Sequence, residues 1–212
     1  YIDVVCKPIK ITTMILSGTH KYDGIILHHR FAYKYFKEKV LPIGNIIAFR
    51  GSMHVLADGM IDQEDVDKQD FIYSEDSINF LWEIPLLGNN HFGAVAYQRL
   101  FCANVGSIIG GKNYLDTKID MRGDDIYVIK EHKQRGVISP EGKCSVSITH
   151  LKDGAALGHL GINIKAGDKA PVFAYSTNFN DDQANNFMAD VVNSFYSMND
   201  DIFVATTKII SK

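Results

Sequence analysis

Lys143 follows Gly142 directly and opens a β-patterned run, Ser145–His150, while upstream the chain reads Arg122-Gly-Asp-Asp125 ahead of a second run, Ile126–Ile129. An ammonium delivered by an ordered strand beside a turn carrying two carboxylates can receive a small anionic ligand. A lysine about 4 Å from a ligand carboxylate gains roughly 4 kcal/mol of gross attraction at an effective dielectric near 20, before desolvation. Asp124 and Asp125 are neighbours at the head of a strand, so only one of them points towards any given site. A carboxylate held near Arg122 and Lys143 stays ionised, placed either beside a leaving group or on a proton path. Lys143, Asp124 and Asp125 are therefore the candidate catalytic residues. The plainer alternatives are a solvated strand lysine and two aspartates that cap a turn.

Around this centre the sequence offers binding groups. Ser145 and Ser147 share the strand face of Lys143. With no Gly-x-Ser-x-Gly elbow they are read as hydrogen-bonding groups to a ligand rather than as nucleophiles. Arg50 follows an apolar run and precedes Gly51, and its planar fork suits a carboxylate or a heterocycle edge; the alternative is an ion pair to the acidic stretch 61–70. Arg99 sits mid-helix and reaches either the ligand or Glu83. His54, His159 and Asn163 fall in strands beside the candidate site. The eight histidines show no His-Glu-x-x-His and no zinc spacing, yet His54 and His159 with Asp62 or Glu83 could build a metal site. Any metal is left unknown.

Composition narrows the classes. The chain has 212 residues, 46% hydrophobic and 22% charged, with a net charge of −3. This fits one domain over residues 1–212, large enough to bury its own core without staples. The pI of about 6.2 argues against nucleic-acid binding through the phosphate backbone. The three cysteines, Cys6, Cys102 and Cys144, contain no Cys-x-x-Cys, which fits a reducing compartment. No apolar run approaches the ~20 residues of a membrane span, and no signal-type start is visible. A cytoplasmic protein with a small-molecule substrate is expected; a homo-oligomer is left open.

These groups need elements to hold them. Residues 2–16 read as one or two strands, and His28–Val40 as a helix ended by Pro42-Ile-Gly44. Asn45–Arg50 and Met53–Leu56 read as two short strands around Arg50-Gly51. The acidic stretch 61–70 reads as a solvated loop without calcium-site spacing, and Ser77–Ile84 as a strand carrying Trp82, the only tryptophan. His91–Ile109 is the strongest helix, its apolar stripe formed by Phe92, Val95, Ala96, Leu100, Phe101, Val105 and Ile108 and its stop by Gly110-Gly111. Leu157–Ile164 is a strand. Gln183–Met198 is a helix capped by Asp181 or Asp182 with Phe187, Val191 and Phe195 inward, and Ile202–Ile210 a last strand. Short turns between neighbouring strands favour antiparallel pairing. The expected fold class is α+β, a mixed, largely antiparallel sheet packed with helices.

Two resemblances rest on these residues. Arg122-Gly-Asp-Asp-Ile-Tyr-Val128, Gly142-Lys-Cys-Ser-Val-Ser-Ile148 and His159-Leu-Gly-Ile-Asn-Ile164 are similar in order to the catalytic core of biotin and lipoate protein ligases. The chain more closely resembles an archaeal and bacterial family, domain of unknown function 366, through Tyr22-Asp-Gly24, Phe31-Ala-Tyr33, Ala48-Phe-Arg-Gly51, Met60-Ile-Asp62 and Gln98-Arg-Leu100. The ligase resemblance implies a ligase-like fold with Lys143 on the ligand's carboxylate. The chain departs from that pattern in two ways. A Gly/Arg-rich adenylate loop is missing, with Arg50-Gly-Ser-Met-His54 as its nearest substitute, and Asp124 stands where the ligases have asparagine. Both changes argue against ATP as a cofactor; cofactors otherwise stay unknown. The second resemblance implies an association with 7-deazaguanine pathway enzymes. The expected function is a lyase-type enzyme that decarboxylates a planar heterocyclic acid such as 7-carboxy-7-deazaguanine, a nucleobase-modification precursor. The rivals are an ATP-dependent biotin/lipoate-type acyl ligase and a non-catalytic binding module.

Overall fold

The computed structural model describes residues 11–28, 30, 31, 33, 44–67, 71–85 and 90–210. The expected helix His28–Val40 and the start of the expected 2–16 strands fall largely outside these residues. A five-stranded sheet forms the centre: β1 (Ile11–Thr19), β2 (Gly44–Val55), β3 (Ile72–Ile84), β10 (Ala155–Lys165) and β9 (Ser145–Lys152), in that spatial order. β1 runs parallel to β2, and every other pairing is antiparallel. A smaller sheet, β4 (Ile119–Arg122), β5 (Asp125–Val128) and β8 (Gly142–Lys143), and a hairpin, β6 (His132–Gln134) with β7 (Val137–Ser139), complete the strands. Among the described residues the α-helices are a short α1 (Gln63–Asp67), α2 (His91–Ile109) and α3 (Asp181–Thr207). The architecture is the mixed, largely antiparallel α+β fold that the sequence leads one to expect.

Strand alternation sends side chains to two faces, and both are apolar. One face carries Ile46, Ala48, Phe80, Trp82, Leu160 and Ile162 against α2 and α3. There Phe101 meets Trp82 edge-on at 5.0 Å and Phe195 at 5.6 Å. Each such fully buried large side chain contributes about 1.5–3 kcal/mol. The other face carries Ile47, Phe49, Met53, Leu81 and Leu157 beneath Tyr22, Leu27 and Phe31. The candidate site lies on this second side.

Gly158 makes room for the tryptophan. It sits opposite Trp82 in the ladder, and a Cβ there would fall 2.0 Å from Trp82 Cζ2. Gly158→Ala is therefore expected to cost ~1–3 kcal/mol of overpacking, read as a lowered denaturation midpoint with an unchanged m-value.

Four expectations change. The two short strands around Arg50-Gly51 are one twelve-residue strand, β2, with a register shift between Gly51 and Met53. Gly51 lies inside the strand rather than at a turn, and the extra residue of the shift is on β3, where Glu75 and Asp76 oppose Ser52; a Cβ on Gly51 would lie 1.9 Å from the His20 carbonyl oxygen. A short helix, α1, occupies part of the acidic stretch. α2 has the expected bounds but a rotated inward face: Ala94, Tyr97, Gln98, Phe101, Cys102, Val105 and Ile109 are buried, while Phe92 is 86% exposed. Gly106 is on the buried face, where a Cβ would stand 2.7 Å from Met121 Sδ. α3 runs on through Thr207 in place of the expected strand Ile202–Ile210, and its cap is Asn180 rather than Asp181 or Asp182. Asn180 Oδ1 accepts from Gln183 N at 2.8 Å and Asn180 N donates to Gln183 Oε1 at 3.2 Å, a reciprocal capping box. Once nucleated, the helix gains a bond per added residue, whereas a strand needs a free sheet edge. Phe187, Val191 and Phe195 are buried, as expected.

Candidate active site

The Arg122–Asp125 segment closes the β4–β5 hairpin. Arg122 pairs with Asp125 across a two-residue loop, with Gly123 at φ +71°; glycine suits a primed hairpin turn at that place. The turn parts the two aspartates. Asp125 faces a cavity of about 210 Å³ on the second side of the sheet. Asp124 turns towards α2, where Arg99 Nη1 lies 3.0 Å from Oδ1 and Gln98 Nε2 donates to Oδ2 at 2.9 Å. Burial raises the Asp124 carboxyl, and the Arg99 charge opposes that rise.

Lys143 is held at its backbone from both sides. It pairs with Tyr127 of β5; its N–H donates to Phe173 O and its carbonyl accepts from Tyr175 N, each at 2.8 Å. Its Nζ lies 2.9 Å from Asp125 Oδ1 and 5.9 Å from the centre of the Phe173 ring. Both members of the pair line the cavity, and both are partly screened, with side chains 23% and 31% exposed. Lys143 thus enters the site already partnered.

The cavity's inner wall is His159. It is fully buried, stacks on Tyr22 at 3.6 Å with an interplanar angle of 11°, and is pushed down to a pKa of about 3 by burial. Its Nε2 lies 3.0 Å from Asn79 Oδ1. An amide oxygen only accepts, so Nε2 carries the proton and Nδ1 is the acceptor. Asn79 Nδ2 donates onward to Ser77 Oγ at 3.0 Å, and Ser77 Oγ donates to Gly51 O at 2.7 Å. Asn163 also lines the cavity; it is buried, and its Oδ1 has no hydrogen-bond partner. A buried polar atom left unmet is costly.

The other sequence candidates divide. Ser145 and Ser147 line the cavity as expected, but their hydroxyls serve the scaffold. Ser145 Oγ accepts from Ile126 N at 2.8 Å; Ser147 Oγ donates to His159 O and accepts from Gln98 Nε2, both at 2.9 Å. Arg50 is not brought to Lys143. It lies on the helix side of the sheet with Ala48 and makes ion pairs with Asp76 at 2.7 Å and Asp181 at 2.6 Å, not with the acidic stretch 61–70. Arg122 also stays outside, bound to Asp120 and bidentately to Glu141 and stacked 4.0 Å over Tyr127. Arg99 bonds Asp124 rather than Glu83 or the cavity. His54 packs edge-on against Tyr73 and is not among the lining residues. Among the described residues no group of three or more His, Cys, Asp or Glu is arranged to hold a metal.

Sequence reasoning missed the walls. Tyr22, Phe71, Tyr73 and Phe173 line the cavity, yet they lie in loops and strand ends without periodic signal. Tyr22 comes close only because its chain segment bridges Met53 in parallel. Its place in the Tyr22-Asp-Gly24 motif was the one available hint.

A family model described as a domain of unknown function, DUF366, matches residues 11–210. The chain belongs to the DUF366 family. An uncharacterised protein of Methanocaldococcus jannaschii is 27% identical over 152 residues, which span 68% of this chain and 59% of that protein. A protein of unknown function from Pyrococcus horikoshi shares the fold at a TM-score of 0.80 and 22% identity, covering 96% of this chain and all of the other. More distant is P. falciparum LipL1, solved in complex with lipoate, at a TM-score of 0.52 and 12% identity over 90% of this chain and 61% of that one. A bipartite lipoate protein ligase of Thermoplasma acidophilum is similar at a TM-score of 0.50 and 11% identity over 85% of this chain and 81% of that one. The DUF366 chain therefore has a biotin/lipoate ligase-like fold. No helix among its described residues is long and apolar enough to cross a membrane.

Proposed function

We propose that this DUF366 chain is a small-molecule enzyme acting on the carboxylate of a planar heterocycle, and that the reaction is decarboxylation of a 7-deazaguanine-type acid such as 7-carboxy-7-deazaguanine. The observation that carries the reading is the Lys143–Asp125 pair, set 2.9 Å apart at a cavity that is also lined by a neutral, stacked imidazole. A volume of about 210 Å³ is below the ~300–1,000 Å³ of drug-sized sites, which suits a compact ring system. Lys143 takes the substrate's carboxylate. The bond from ring carbon to carboxylate breaks, its electron pair stays on the ring, and a proton from the ammonium, resupplied from water past Asp125, closes the new C–H bond. The balance is one carboxylate and one proton in, one C–H product and one CO₂ out. A fixed charge aimed at the reacting group is the type of preorganised electrostatics that usually dominates catalysis.

The test is incubation of the protein with 7-carboxy-7-deazaguanine, with and without divalent metal, followed by mass spectrometry for loss of CO₂. Product formation that Lys143→Met abolishes supports the reading; no product in any arm removes it. A second reading, an ATP-dependent acyl ligase, is favoured by the likeness to LipL1 in fold. It requires pyrophosphate exchange driven by biotin, lipoate or octanoate, and silence across that panel discards it.

A further inference from the structure

Among the described residues, Lys143, Asp125 and Asp62 bring charged side chains to the cavity's lining, and burial keeps the His159 ring neutral at any pH well above 3. A simple monoanion meets a lysine that already has a carboxylate 2.9 Å away. To bind, it must share that lysine or displace Asp125, and a half-buried carboxylate stripped of its partner is destabilised. The wall also holds an acceptor in need of a hydrogen: Asn163 Oδ1 is buried and unmet.

We infer that the cavity selects acids bearing an N–H donor beside the acid group, such as aminated heterocyclic acids, over simple carboxylic acids, because such a ligand replaces both halves of the Lys143–Asp125 pair. This inference rests on the reading that Lys143 receives an acid. The ligand's carboxylate takes the ammonium, and its N–H takes the freed Asp125 carboxylate. A second N–H or amino hydrogen answers Asn163 Oδ1. Charge is then matched on both sides of the contact, and no buried acceptor is left without a donor. An apolar-tailed acid can satisfy only the first of these demands.

The test is calorimetric titration of the intact chain with matched pairs, nicotinate against 2-aminonicotinate and benzoate against 2-aminobenzoate, with octanoate as a tailed acid. The aminated member of each pair is expected to bind at least 10-fold more tightly. Asp125→Asn is expected to erase the preference by tightening the simple acids, since it removes their competitor while keeping the side chain's shape. Asn163→Leu is expected to weaken only the aminated members. Equal binding of both members, or tighter binding of the simple acid, by the unaltered protein overturns the inference even if 7-carboxy-7-deazaguanine is turned over. Binding that Lys143→Met leaves unchanged, or no binding by any of the five acids, removes the acid site and this inference with it.

Discussion

Lys143→Met is expected to lower kcat/KM for a carboxylate substrate by roughly 10²–10³-fold, the cost usually seen when one preorganised charge-stabilising donor is removed. The fold should survive, because the residue is anchored by backbone bonds to Phe173 and Tyr175 rather than by its ammonium. The change also leaves Asp125 unpaired and 31% exposed, so a modest loss of stability accompanies the loss of activity. Removing the orphaned charge separates the two effects. In the double variant Lys143→Met/Asp125→Asn the denaturation midpoint should recover while kcat/KM stays low. Recovery of activity in the double variant would mean that Lys143 serves only to neutralise Asp125.

Acid should destabilise the protein through His159. Its ring is held at a pKa of about 3 in the fold against about 6.5 in an unfolded chain. Between those values the unfolded state binds a proton that the folded state refuses. Stability is therefore complete above about pH 6.5 and falls as pH drops towards 3, with a slope of about 1.4 kcal/mol per pH unit from this group. His150, lowered chiefly by burial, adds in the same direction. His159→Gln cannot titrate, so its stability should fall less steeply over that window. Urea unfolding at half-unit pH steps from 7 to 4 compares the two slopes. Parallel curves would show that the histidine gains access to water in the folded state.

The elements with strong periodicity were legible from sequence. The bounds of α2, though not its full inward face, and the inward Phe187, Val191 and Phe195 of α3 stand where spacing puts them. Lys143 and the Asp124-Asp125 turn were legible as neighbours from a glycine-led strand and a short hairpin, but which aspartate meets the lysine was not, because that depends on how the turn parts them between the cavity and α2. Arg50 was misplaced for a reason that sequence hides. The strand face of a residue is relative: alternation along β2 turns Ala48 and Arg50 to one side and Phe49 and Met53 to the other, and nothing in the composition says which side α3 covers. The aromatic walls and the hydrogen-bond line behind His159 depend on contacts between residues far apart in the chain, such as His159 with Asn79 and Tyr22 with Met53. The end of α3 was misread because β-branched residues near the terminus suggest a strand, while the propagating helix overrides that preference.

The directional line His159 to Asn79 to Ser77 to Gly51 has a chemical consequence. It terminates on a backbone carbonyl, which can only accept, so the order of donors cannot be reversed from that end. An imidazole that relays protons must swap which nitrogen is protonated in each cycle. Here every swap would strand a donor or an acceptor in the sheet interior, so the ring is unsuited to shuttling. His159 is a fixed surface against which a flat ligand can be registered, and a proton that moves within this cavity has to travel by other lining groups.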